Sequence, residues 1–332
     1  MTHVTKTIVF ATLPVVVLLV AAELGWRTYL SVNGRGFFDD PNEFTSPFFT
    51  TYDEPRPAIQ GDQLGYRNGS VSRTKAPGEV RVIAFGGSTT VNFRPGISYT
   101  DILERQFADE FGASPPVRVL NAGGEGYSTA HVLVNLALRN LEAAPDVITV
   151  FENINDHSTV WFGDGVVPDY ANKYKTDFYL GMRHRTGVIA GIAKVSRLAR
   201  FLIGRANALA FPAQQADQSR DFRPALPYFS NNLRSIVAVA KAHGIRILLA
   251  SQPARADCRT PAFIAFNDEI RRIAADERVP FVDLAAEVVA DSAFLPDCIH
   301  NTRAGVEQVA AVLHDSVAAL VTDVRRARAP RE

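Results

Sequence analysis

Cysteine is scarce in this chain: only Cys258 and Cys298 occur among 332 residues. Two thiols so far apart in sequence exclude a zinc site built on cysteine pairs, and leave either two reduced buried side chains or one disulfide. Neither sign of charge predominates, because 35 Lys and Arg balance 35 Asp and Glu. A chain without net charge has no global field to gather nucleic acid, so that partner is disfavoured. Internal repeats and low-complexity tracts are lacking too. What is plentiful is apolar surface: 47% of the residues are hydrophobic, enough for a substantial core in one large domain or two small ones.

The one long uncharged apolar run lies near the N-terminus, from Thr7 to Ala22, and is followed by Glu23, Trp26, Arg27 and Tyr29. A bilayer span takes about 20 helical residues, so the run is short unless Leu24 to Trp26 extend it at the interface. Two readings follow: a signal peptide cleaved after Val20-Ala21-Ala22, or a retained signal anchor. The aromatic and charged belt beyond Ala22 favours the anchor. Either exports the rest of the chain, so the expected location is membrane-anchored and extracytoplasmic. Lys6 on one side and Arg27 and Arg35 on the other leave the orientation by charge undecided. The expected organisation is an anchor over 1–30, an irregular arm over 31–78 and a catalytic domain over 79–327 with an insertion at about 160–225. The arm is rich in Pro, Gly, Asp and Asn, and its aromatics Phe37, Phe38, Phe48, Phe49 and Tyr52 suit packing onto the main domain.

The stretch that organises the remainder is Arg81 to Thr90. An apolar, β-branched run stops at Gly86-Gly87 and Ser88 follows at once, the pattern of a buried strand ending in a tight turn. Ser88 then stands at the C-terminal edge of a sheet, where ligands bind in open α/β folds. Taken alone, the motif is more often an ordinary strand-to-helix turn with the serine as helix N-cap.

Strand and helix signals alternate from there. A helix is expected over Tyr99–Phe111, a strand over 117–121, a glycine-rich loop at 122–128, a helix over 129–141 and a strand over 147–151. After the insertion, with amphipathic material at 187–206, come a helix over 228–243 closed by Gly244, a strand over 245–251, a helix over 263–276, a strand over 279–284 and a helix over 306–327. Five strands separated by helices predict a three-layer α/β/α sandwich around a mostly parallel, flavodoxin-like sheet.

Each strand-end loop offers one part of a serine hydrolase. Ser88 is the nucleophile, Gly126 offers a backbone N–H, Asn155 a side-chain amide, and His300 a base with Asp297 three residues earlier. In order, Gly86-Gly87-Ser88, Asn121 to Gly126, Asn153-Ile154-Asn155-Asp156 and Asp297-Cys298-Ile299-His300 resemble the four blocks of the SGNH (GDSL-type) hydrolase family. The stretch Leu64 to Asn68 is similar to the lead-in of its membrane-anchored members. The resemblance covers roughly 79–325 and implies a catalytic triad of Ser88, Asp297 and His300, with an oxyanion hole of the Ser88 and Gly126 N–H groups and the Asn155 side chain. It departs from the family at Gly87, where an aspartate is usual, and at Asn153, usually glycine, whose side chain is expected to narrow the pocket or add a polar contact.

The implied activity is hydrolysis of a small-molecule or glycan ester through an acyl-enzyme, without metal or other cofactor. An acyltransferase using the same residues and an inactive binding domain are the alternatives, and no oligomeric state is specified. Among other residues, His157 is a rival base without an orienting acid, Asn155 and Asp156 suit helix capping, His131 and His314 fall on helices as packed or solvated side chains, and Glu152 lies near the pocket with no assigned role. A Cys258–Cys298 bridge would brace the loop carrying His300.

Overall fold

In the computed structural model, the run before Ser88 is an inner strand of a parallel sheet. The structure describes residues 3–32, 37, 63–92, 96–162, 166–168, 170, 173, 192, 196–199, 201, 202, 205 and 217–329. Contacts divide the chain into two units, one of Met1–Pro47 with Tyr174–Gln214, the other of Phe48–Lys173 with Gln215–Glu332.

In the first unit, helix α1 spans His3–Val32. Its stretch Thr12–Val32, of mean hydropathy 1.5, is long and apolar enough to cross a membrane. Glu23 on α1 accepts hydrogen bonds from Ser196 Oγ (2.7 Å) and from the backbone N–H groups of Arg197 (2.8 Å) and Leu198 (3.0 Å). One turn on, Trp26 lies 4.4 Å from the Phe201 ring. Of the arm's aromatics only Phe37 is among the described residues, and most of the amphipathic stretch 187–206 also lies outside them.

The second unit opens with a correction. Residues expected to be irregular form an antiparallel hairpin, β1 (Gln63–Tyr66) and β2 (Gly69–Ser72). Leu64, Tyr66 and Val71 are buried in the core of the main sheet. The turn docks on the sheet edge: Asn68 Nδ2 donates to Val119 O (2.7 Å) and Asn68 Oδ1 accepts from Asn121 N (2.9 Å). An edge strand's open backbone groups are thereby occupied, which suppresses pairing with other chains.

The sheet contains β3 (Val80–Gly86), β4 (Val117–Asn121), β5 (Val147–Phe151), β6 (Arg246–Ala250) and β7 (Phe281–Val282), in the order β4-β3-β5-β6-β7 with every pairing parallel. β3 and β5 are buried along their whole length, which is why they read as continuous apolar runs and not as alternation. Successive residues still serve opposite faces. Val82, Ala84 and Val147 meet helices α3 (Tyr99–Phe111) and α9 (Arg303–Arg328). Ile83, Phe85 and Ile148 meet α4 (Thr129–Asn135), α6 (Leu226–Ala242) and α7 (Pro261–Glu277). The result is the three-layer α/β/α sandwich with a flavodoxin-like strand order.

Two smaller differences have local causes. The helix expected over 129–141 changes pitch at Leu136, passing through a π turn and a 3-10 turn to Ala143. Asn140 Nδ2 donates to Asn135 O (2.9 Å), a side chain inserted into the helical ladder. The last strand shrinks to two residues because β7 pairs only at Leu249–Phe281 and Ala250–Val282, and the one-turn helix α8 (Leu284–Glu287) follows it.

The end of the sheet opposite Ser88 is closed by ion pairs. Buried Arg81 donates to Glu79 (2.6 Å) and to Ala143 O (2.8 Å). Asp146 accepts from the Arg81 backbone N–H (2.8 Å) and Lys75 Nζ (2.6 Å), and pairs with Arg328.

Candidate active site

In this strand order the chain reverses its direction of winding between β3 and β5, and the crevice above such a switch point is where open α/β sheets hold ligands. β3 ends at Gly86, opposite Phe151 of β5. Ser88 then begins the one-turn helix α2 (Ser88–Val91) with Gly87 as its cap residue. Ser88 does not itself cap that helix, and its half-buried side chain points elsewhere.

It points to His300. Ser88 Oγ lies 2.8 Å from His300 Nε2, and His300 Nδ1 lies 2.9 Å from Asp297 Oδ2. An ionised carboxylate only accepts, so Nδ1 carries the proton and Nε2 is left to accept from the serine hydroxyl. The other oxygen of Asp297 accepts the backbone N–H groups of Ile299 (3.0 Å) and His300 (2.8 Å). Partial burial would raise the Asp297 carboxyl, but these three donors outweigh it and hold it down to about 2.

The segment bearing His300 is tied at several points. Cys298 is disulfide-bonded to Cys258, in the loop after β6. Arg255 N donates to Cys298 O (2.9 Å), and Ile299 packs with Ala254 and Phe263. Thr302 caps α9 by accepting from Gly305 N.

The second and third loops converge beside Ser88. Asn121 Nδ2 donates to Thr90 O (2.7 Å) and its Oδ1 accepts from Gly123 N (3.0 Å), joining the glycine-rich loop to α2. Gly126 sits in that loop with φ of 69°, a left-handed conformation natural to glycine. Asn155 lies on the one-turn helix α5 (Ile154–His157), and its Nδ2 donates to Tyr127 O (2.8 Å). An amide nitrogen has two hydrogens, so one remains for a ligand. Asp156 does not cap its own helix; it accepts from Thr129 N (2.9 Å) and from the Thr129 hydroxyl, binding the third loop to α4.

Asn153 corrects an expectation. Its side chain is fully buried and bonded to Phe263 O (2.9 Å) and Asn267 Oδ1 (2.8 Å), so it ties β5 to α7 and does not narrow a pocket. His157 is buried, bonded to Asn153 Oδ1 (2.9 Å) and ringed by Trp161, Phe263 and Phe266. Burial lowers it to about 3, so it is a neutral packing residue. His131 is buried and lowered to about 4 for the same reason. His314 lies tilted against the Phe107 ring, 5.3 Å between centroids, and its Nε2 is 3.1 Å from Glu110.

Glu152, expected near the pocket without a role, gains partners here, and Lys173 was not legible as part of the site. Glu152 is buried beneath Asn155, its Oε1 accepting from Asn153 N (3.0 Å) and Asn155 N (3.3 Å). Burial and the neighbouring Asp156 push the Glu152 carboxyl upward, and burial pushes Asp156 upward against its hydrogen bonds from Thr129. Lys173, from the expected insertion, brings its ammonium to Asn155 and Ser158. A cavity of about 580 Å³ is lined by His157, Trp161, Phe222 and Thr260, so α5 faces Gly87 with Asn155 and this cavity with His157. Among the described residues no group of three or more His, Cys, Asp or Glu is arranged to hold a metal ion.

Residues 84–308 match the model of the GDSL-like lipase/acylhydrolase family. No curated protein matches the sequence. Among solved structures, an acetyl xylan esterase is similar at 17% identity and a TM-score of 0.47, covering 72% of this chain and 100% of that one. A lipase/acylhydrolase from Enterococcus faecalis is 18% identical with a TM-score of 0.45, over 76% of this chain and 99% of its own. An acetylxylan esterase from Geobacillus stearothermophilus is 16% identical with a TM-score of 0.46, over 73% and 94%.

Proposed function

This chain belongs to the GDSL-like lipase/acylhydrolase family, hydrolases acting on esters, and from that premise we propose that it cleaves them through an acyl-enzyme formed on Ser88. The observation that carries the reading is the continuous relay from Ser88 Oγ through the His300 imidazole to Asp297.

In the first step Oγ attacks the ester carbonyl carbon while its proton passes to Nε2. As the tetrahedral intermediate collapses, the ester C–O bond breaks and that proton goes to the departing alcohol. Water then attacks the acyl-enzyme, gives its proton to Nε2, and the Oγ–acyl bond breaks as the proton returns to Ser88. Asp297 keeps Nδ1 protonated and stabilises the imidazolium in both halves. The oxyanion is held by the N–H groups of Ser88 and Gly126 and the free amide hydrogen of Asn155, donors aimed at charge that exists only in the transition state.

The substrate class we assign is a small-molecule or glycan ester. The catalytic domain is taken to span 79–327, with α1 as a retained membrane anchor that places it outside the cytoplasm. Support for retention is the aromatic and charged belt of Trp26, Arg27 and Tyr29 that follows Ala22.

The test is labelling with a fluorophosphonate and turnover of p-nitrophenyl acetate and butyrate by the full-length protein in detergent. Wild type is expected to be labelled and active, and Ser88→Ala to be folded, unlabelled and inactive. Undiminished turnover in Ser88→Ala sinks the reading. Transfer of the acyl group to an added sugar, in place of its release as free acid, identifies a transferase built on the same residues.

A further inference from the structure

Building on the reading of Asn155 as an oxyanion donor, we propose that Lys173 is a positioning residue that fixes the orientation of the Asn155 carboxamide. Its ammonium lies 2.9 Å from Asn155 O, 3.3 Å from Asn155 Oδ1 and 2.8 Å from Ser158 Oγ. The ammonium group has three donors and no acceptor, and these three oxygens meet them.

The two ends of a carboxamide have almost the same shape, so an asparagine at a reacting centre can present either a donor or an acceptor. Presenting Oδ1 to a developing oxyanion would set one negative oxygen against another. Here each end is specified by a partner of opposite character. Lys173 can only donate and therefore selects Oδ1, while the Tyr127 carbonyl can only accept and therefore selects Nδ2 (2.8 Å). Gly87 allows Nδ2 to approach the residue next to Ser88: a Cβ there would lie 2.5 Å from it. The remaining amide hydrogen is thus set on the nucleophile's side.

Lys173 also closes a helix too short to hold itself. α5 is one turn long, and a turn without tertiary support is unstable. The cation sits on the carbonyl of Asn155 and on Ser158, the residue that ends the turn. Two buried carboxyls, Glu152 and Asp156, interact with it electrostatically and counter the effect of burial, which lowers its titration to about 8. His131 and His157, the other titratable groups influenced by this cation, are held neutral.

A merely structural pin and a positioning residue give different kinetics. Full-length Asn155→Ala, Lys173→Met and the double variant are compared in detergent with p-nitrophenyl acetate, alongside thermal melts. Asn155→Ala is expected to lose about a hundredfold in kcat. Lys173→Met is expected to lose tenfold or more in kcat with KM within about twofold, because the amide contributes only in the transition state. In the Asn155→Ala background the same change is expected to cost less than about threefold, since there is no amide left to orient.

A Lys173→Met rate within about twofold of wild type overturns the proposal, as does a loss that multiplies undiminished in the double variant. If Lys173→Met does not fold, Lys173→Gln is judged by the same criteria, and failure of both to fold assigns the residue to stability alone and overturns the proposal. Asn155→Ala with wild-type turnover, in a protein that Ser88→Ala inactivates, removes the oxyanion role of Asn155 and this inference with it. A slow Asn155→Ala beside a normal Lys173→Met removes this inference only.

Discussion

Ser88 Oγ and His300 Nε2 stand 2.8 Å apart although 212 positions separate the two residues in the chain. The serine is fixed by the end of an inner strand, the histidine by a loop that the sheet alone does not hold. That loop relies on the Asp297 hydrogen bonds, the disulfide and the cap of α9. Its supports are therefore the places where the chemistry is most open to perturbation.

Asp297→Asn is expected to reduce kcat by about 10²- to 10⁴-fold, because an asparagine at this position can donate to Nδ1 and select the tautomer that blocks Nε2. The wild-type carboxyl is depressed, so its contribution is complete above the ordinary aspartate range and is lost only as pH falls through about 2. Kinetics of the variant with p-nitrophenyl acetate at neutral pH check the first statement. An acid titration of His300 NMR signals, showing Asp297 still ionised near pH 4, checks the second.

Asn155→Ala is expected to lose about 3 kcal/mol of transition-state stabilisation, some hundredfold in rate, with little change in thermal stability. A loss near twofold in steady-state kinetics would reduce Asn155 to a structural contact.

Reducing the Cys258–Cys298 bridge, or replacing both cysteines by serine, is expected to lower stability by about 2–4 kcal/mol; a loop closed over 40 residues sets the upper figure. Turnover should fall as well, because the bridge adjoins Asp297 and His300. Melting curves and rates with and without reductant measure both effects, and equal rates would show that the loop keeps its geometry unaided.

Glu152→Gln is expected to flatten the alkaline decline in stability. Glu152 is raised in the folded protein, so folding takes up a proton: stability is greatest below the ordinary carboxylate value of 4.5 and falls as pH rises through the shifted range. Melting temperature followed from about pH 5 to about pH 8 should drop less in the variant than in wild type. An equal drop would show that this carboxyl ionises freely.

Asp146→Ala is expected to destabilise the fold by about 2–4 kcal/mol, because it strips Lys75, Arg328 and the Arg81 N–H of a nearly buried acceptor. The residue precedes β5, at the end of the sheet away from Ser88, so kcat should change less than about twofold. Chemical denaturation read beside kinetics separates the two.

The core of the fold is legible in the sequence because its strands are buried on both faces: 117–121 and 147–151 stand out as apolar, β-branched runs closed by polar loops, and both limits match the structure. The hairpin at 63–72 was hidden because its strands are four residues long and carry glycines, and it is held by docking on β4. Ser88, Asp297 and His300 are readable because each follows a strand or precedes a helix at short fixed spacing. Lys173 carries no such mark: its role depends on a contact with α5 that no periodicity announces. Asn153 misled because its position beside the site says nothing of its direction, which the acceptors on α7 decide.

The space over Gly87 has a further implication. A Cβ at that position would lie 2.5 Å from Asn155 Nδ2 and 2.6 Å from Glu152 Oε2, so any side chain there must displace the ends of both. Restoring the aspartate usual in the family by consensus engineering would bring a second acid against Glu152 and crowd the Asn155 amide. Positions 87, 152 and 155 are thus coupled: an exchange at one changes what the other two can accommodate.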